Sequence, residues 1–144
     1  MRKIIFIICT VFFAMSCDET KKVIDVAGNV QLSGNYIVTA INGTPISENA
    51  PNIVFSALDK GVSGNTGCNR FFGNYTLDLY ALSFSEIAST EMACDQPIMD
   101  TENAFISVLN NTGSYALQNG ELVLYSKTDR AVLLSARKEK PAGN

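Results

Sequence analysis

Cys68 and Cys94 are the side chains best suited by type to covalent chemistry in this chain. They stand 26 positions apart. Cys68 lies in the run Gly67-Cys68-Asn69-Arg70-Phe71-Phe72-Gly73, and Cys94 ends Thr90-Glu91-Met92-Ala93-Cys94. A cysteine is a nucleophile only as its thiolate, which a base or a nearby cation must stabilise. The chain contains no histidine. Ser-His-Asp and Cys-His catalysis are therefore excluded, along with the commonest metal ligand and neutral-pH proton shuttle. Two cysteines without histidine do not complete a usual zinc site. Arg70 could lower the Cys68 thiol pKa, but a disulfide or core role outweighs catalysis. The expectation is a protein that is not an enzyme, with no catalytic residue, no metal and no cofactor.

Other polar residues admit two readings each. Glu86, Glu91 and Asp95 could supply the carboxylate pair of a glycoside hydrolase, yet their spacing does not set them apart from surface charges. Arg70 either forks onto a ligand carboxylate or phosphate, or pairs with Glu91 or Asp95 or with loop carbonyls. Asn69 either satisfies a turn or touches a ligand. Phe71, Phe72 and Tyr75 fall at strand spacing and belong to the core, or else line a groove. Arg70, Asn69 and Phe71 are thus the candidate binding residues, in a groove near Arg70, Phe71 and Phe72. Gly64, Gly67 and Gly73 permit bulges and positive φ. No P-loop lysine or helix follows them, so they do not form a phosphate loop.

The elements that must position these residues are mostly strands. Tyr36 to Ile41 is β-rich and closed by the hairpin pair Asn42-Gly43. A loop from Pro45 to Pro51 leads to a strand from Asn52 to Leu58 and a turn at Asp59 to Gly61. Val62 to Asn69 reads as a bulged or irregular strand. Phe72 to Leu77 and Leu82 to Ile87 alternate around a turn near Asp78 to Ala81, with one wet and one dry face. One helix follows. Asp95 is its N-cap and Pro97 sits in the first turn. Ile98, Thr101, Phe105, Val108 and Leu109 form its apolar stripe, Glu102 lies away from it, and Asn110 to Gly113 stops it. Strands at Ser114 to Leu117, Glu121 to Tyr125 and Arg130 to Ala136 complete an α+β domain. The expected architecture is a small, curved, mostly antiparallel sheet, a partial barrel, with one packed α-helix.

The N-terminus sets an address. Arg2 and Lys3 precede an almost wholly apolar run of 12 residues, Ile4 to Met15, then Ser16 and Cys17. This is the layout of a secretory signal, too short for the roughly 20 residues that span a membrane. Ala14-Met15-Ser16-Cys17 resembles a degenerate lipobox, so the segments read as signal peptide 1–16, flexible tether 17–33, folded domain 34–138 and disordered tail 139–144. Acylated Cys17 would be the lipidation site and membrane anchor. The alternative is an ordinary secretory signal with Cys17 a leftover thiol. Asp18 fits either an inner-membrane retention signal or a surface-export signal. The localisation expected is the cell envelope, at the outer membrane on its periplasmic or surface face. Loss of Arg2 and Lys3 leaves 9 cations against 14 acidic residues, a net charge of −5. No basic patch suggests nucleic acid, and the chain reads as a monomer with a possible envelope protein partner. In an oxidising compartment Cys68 and Cys94 favour a disulfide, with two buried free thiols as the alternative.

Gly64-Asn65-Thr66-Gly67-Cys68-Asn69-Arg70-Phe71, with the second block ending at Cys94 and the Tyr36 to Gly43 opening, resembles the META domain (HslJ-like) family of bacterial envelope proteins. The resemblance covers about residues 33 to 137. It implies a small, mostly antiparallel β structure with a packed helix, and links to heat stress and antibiotic tolerance. It implies no ligand or reaction. Tyr36 stands where the family usually has Trp, and Glu91 where it usually has a basic residue.

Overall fold

The computed structural model describes residues 26–140. The expected signal peptide, Cys17 and the tether up to residue 25 lie outside the described residues, as does the tail from 141. Alternation of apolar and polar residues builds the strands. These are β1 (Gly34–Ile41), β2 (Thr44–Pro45), β3 (Asn52–Phe55), β4 (Gly61–Asn65), β5 (Arg70–Asp78), β6 (Ala81–Ser89), β7 (Thr112–Gln118), β8 (Glu121–Ser126) and β9 (Val132–Lys138). Each pairs antiparallel with its neighbours in the order β1-β3-β4-β5-β6-β7-β8-β9, and β9 returns to β1. The sheet is therefore a closed eight-stranded barrel, not the partial barrel expected. Short β2 continues the edge of β1 beyond the point where β3 leaves it. Closure removes the exposed edges that an open sheet would present. The seam between β6 and β7 is the thinnest, with the pair Ala81 and Ser114 and a bond from the Tyr115 N–H to the Tyr80 carbonyl.

Among the described residues two helical segments are present where one was expected. Residues 26–32 form α1, and α2 runs Gln96–Asn111. The tether expected over 17–33 is thus corrected at its C-terminal end. Leu32 is fully buried, and the Tyr36 hydroxyl donates to its carbonyl at 2.9 Å. Burial pushes the Tyr36 phenol up to about 12, with a further contribution from Tyr115. Gly28 of α1 lies against Leu77, near the end of β5. Phe105 of α2 meets Phe71 at the start of β5, ring centroids 5.2 Å apart. Leu77 lies six positions along the strand from Phe71, about 20 Å, so the helices close opposite ends of the barrel.

The interior is aromatic. Tyr36, Phe55, Phe71, Tyr75 and Phe105 are fully or almost fully buried. Phe55 takes Tyr36 and Tyr75 edge-on at 5.9 and 5.2 Å, the geometry that ring quadrupoles favour. Several expected boundaries move. β3 stops at Phe55, because the Ser56 N–H turns to the Gly61 carbonyl and leaves Leu58 fully exposed. The last strand starts at Val132, since Arg130 has positive φ. Asp95 occupies the N-cap position of α2 but its side chain makes no capping bond. No left-handed glycine stops α2. Thr112 turns extended and leads directly into β7. Glu139, assigned to the tail, is held by its N–H to the Asn35 carbonyl at 2.8 Å.

Candidate functional site

The block from Gly64 to Phe71 is the turn joining β4 to β5, and its polar atoms converge on one carboxylate. Glu102 lies on α2 at the register of Ile98, Phe105 and Leu109, and is buried with Phe105 and Leu109. This corrects the expectation that it faces away. Its Oε2 accepts from the Thr66 hydroxyl at 2.8 Å and from Asn69 Nδ2 at 2.9 Å. The single Thr66 proton can serve one acceptor, and the charged oxygen is closer than the Asn69 carbonyl at 3.0 Å. Thr66 Oγ1 in turn accepts from the Asn69 N–H at 2.9 Å.

Asn69, 1 % exposed, ties three segments together. The second proton of its Nδ2 reaches the Met92 carbonyl at 3.2 Å. Its Oδ1 accepts from the Met92 N–H and the Thr90 hydroxyl, both at 2.8 Å. The amide thus reads the backbone of the segment leading to Cys94. A disulfide joins Cys68 to Cys94, Cα atoms 6.1 Å apart. Gly67 completes the turn. Its φ is +103°, and a Cβ there would lie 2.8 Å from the Asn49 carbonyl oxygen. Its N–H is taken by Asn65 Oδ1 at 2.7 Å.

Chemically this cluster is a clamp. The sulfurs are bonded to each other, so Cys68 offers no thiolate. Both oxygens of Glu102 face donors, and Asn69 uses both ends of its amide. No cation pairs with Glu102 among the described residues; hydrogen bonds alone replace the water it lost on burial.

The other candidate residues separate from this cluster. Asn69 and Phe71 are buried, whereas Arg70 points outward. Arg70 does not pair with Glu91 or Asp95, and its backbone N–H donates to Thr90 Oγ1 at 3.2 Å. Phe72, expected in the core beside Phe71, is 60 % exposed, because neighbours on a strand face opposite sides. Arg70 and Phe72 border a surface groove of about 440 Å³ with Asn52, Ser63 and Asn65, and Phe71 also lines it. Glu86 sits at positive φ in a β6 bulge opposite Gly73 and hydrogen-bonds Asn74. Among the described residues no group of three or more Cys, Asp or Glu side chains could hold a metal ion. Glu102 is the residue that sequence reasoning missed. Its signal was the spacing 98, 102, 105 and 109, a helical stripe interrupted by a carboxylate.

The family model for the META domain matches residues 29–139. The matched span begins inside α1. Among solved structures, the chain is similar to a protein from Burkholderia xenovorans determined by NMR, with a TM-score of 0.66, 23% identity and coverage of 81% of this chain and 89% of that one. A second NMR structure gives a TM-score of 0.62 at 25% identity, covering 76% and 93%. The crystal structure of a DUF4847 family protein from Bacteroides vulgatus gives 0.59 at 16% identity, covering 80% and 99%. These likenesses concern the fold. No curated protein matches.

Proposed function

This chain belongs to the META domain family, and on that premise we propose that it is a non-catalytic, lipid-anchored cell-envelope protein. Its barrel contributes to envelope integrity under heat or antibiotic stress through contact with a protein or a surface. One observation carries the non-catalytic reading: the polar groups of Thr66, Asn69 and Glu102 are spent on one another, and Cys68 on Cys94. Such a cluster stabilises the barrel and leaves no reactive group exposed. The sequence Arg2 to Cys17 supports the anchor. Acyl chains each contribute about 0.8 kcal/mol per buried methylene, and two or more hold a protein stably.

Labelling cells with a fatty acid, with and without globomycin, tests the anchor. The expected result is a labelled, membrane-bound protein, unprocessed under globomycin and unlabelled after Cys17→Ala. A soluble, unlabelled wild-type protein would reject it. A deletion strain should lose viability under heat or antibiotic challenge, and the Cys17→Ala protein should restore it poorly.

The groove beside Arg70 supports a second reading, a small-ligand-binding module. Arg70 is exposed, has no carboxylate partner among the described residues, and shares the groove with the exposed Phe72. A flat ligand bearing a carboxylate or phosphate fits that pair. A saturable thermal shift with such a compound, lost in Arg70→Ala, would favour this reading. No shift across a panel of anionic envelope metabolites would leave the contact role.

A further inference from the structure

A larger groove, of about 470 Å³, lies between α2 and the loop that follows β1. We propose that it binds a small amphiphile carrying a protonated amine on an apolar body. The volume falls within the range of about 300–1,000 Å³ typical of small-molecule sites. Its floor is apolar: Ile41 and Ile46 from the hairpin side, Ala104 from the helix. All three belong to the core or pack against it, so the floor is fixed by the same packing that holds the barrel together.

The rim carries the specificity. Glu48 approaches from the loop and Asp100 from α2. No lysine or arginine lines the groove, and neither carboxylate forms an ion pair among the described residues. Asp100 accepts one bond, from Gln96 Nε2 at 2.9 Å. The side chains of Thr44, Ser47 and Glu48 hydrogen-bond to no described residue. An anion would be repelled by two carboxylates, and a neutral apolar ligand would leave both of them facing it uncompensated. An ammonium group over an apolar body satisfies floor and rim together.

The walls are set before any ligand arrives. The Ile46 N–H donates to the Thr39 carbonyl and the Val38 N–H to the Pro51 carbonyl, both at 2.9 Å. The Asn49 backbone rests on Gly67, where a side chain would have no room. Little loop ordering is therefore left for binding to oppose. This site is separate from the Arg70 groove and takes the opposite charge.

An amide NMR titration of the full mature chain tests the assignment, with phenylbutylammonium, phenylbutanol and phenylbutyrate as probes. The amine should give saturable shifts confined to residues 41–48 and 100–104, with the alcohol several-fold weaker and the carboxylate silent. Each exposed ion pair is worth up to about fivefold in affinity, so Glu48→Gln combined with Asp100→Asn should weaken the amine about five- to tenfold. Ala104→Trp should fill the floor and abolish binding of amine and alcohol, with the rest of the spectrum unchanged to show an intact fold. Arg70→Ala should change nothing. The proposal fails if no probe saturates below about 20 mM, a limit weaker than any useful site. It also fails if the shifts map elsewhere, or if amine, alcohol and carboxylate bind alike.

Discussion

Glu102 and Asp100 are carboxylates two residues apart on the same helix, and they live in opposite environments. Glu102 faces the β4–β5 turn, is 7 % exposed, and meets a hydroxyl and an amide that point at it. Asp100 faces the loop after β1, is exposed, and borders an apolar floor beside Glu48. The first arrangement is closed, because burial without donors would cost the carboxylate far more than it gains from packing. The second is open, because water still solvates what the protein does not pair. One side of α2 therefore holds the molecule together, and the other has unspent groups to offer a ligand.

Substitutions can break that contrast. Glu102→Ala should have the largest effect, a loss of about 4 kcal/mol in urea unfolding, since it strands the Thr66 hydroxyl and the Asn69 amide without water. Glu102→Gln should cost less, about 1–3 kcal/mol, because one oxygen still accepts while the amide nitrogen faces a donor. A Glu102→Gln protein as stable as the wild type would mean that volume, not hydrogen bonding, matters there. Opening the disulfide with Cys68→Ser and Cys94→Ser should lower stability by about 3.5 kcal/mol on the chain-entropy argument for a loop of this length. The unsubstituted protein in strong reductant should show the same loss.

Gly67→Ala probes the link between the two sides. Positive φ and the Asn49 carbonyl both oppose a Cβ, so about 1–3 kcal/mol should disappear from the thermal unfolding free energy. The amides of residues 46–49 should move with it, because that loop leans on the turn. The smallest effect belongs to the open side. Glu48→Gln with Asp100→Asn should change stability by no more than about 0.5 kcal/mol. A larger loss would show that these carboxylates are structural after all, and would erase the difference between the faces.

Much of the fold was legible. Periodicity placed the strands because the barrel interior takes every second residue, as at Tyr36 and Val38 or Leu122 and Leu124. Asn42-Gly43 marked its turn, and both residues have positive φ, as do Asn119 and Gly120 between β7 and β8. The candidate site was harder to read. Phe71 and Phe72 are adjacent and chemically alike, and only strand phase divides core from surface. Arg70 had carboxylates within reach in sequence, but faces outward and forms no ion pair among the described residues. The residues before Ser33 looked like tether because Asp18 to Lys22 is charged and carries no packing pattern. Leu32 nonetheless has a place in the core, and Tyr36 a hydroxyl to hold its carbonyl.

What the sequence determined by itself was local: alternating strands, an amphipathic helix beginning near Pro97, the turns, and a chain without histidine chemistry. Whether β9 closes on β1, whether Cys68 meets Cys94, and which carboxylate is buried were decided by tertiary structure alone. Those outcomes depend on segments far apart in the chain arriving at the same point. A strand's pattern states which face is dry; it does not say which distant strand will cover its edge, or which donor will stand opposite a glutamate.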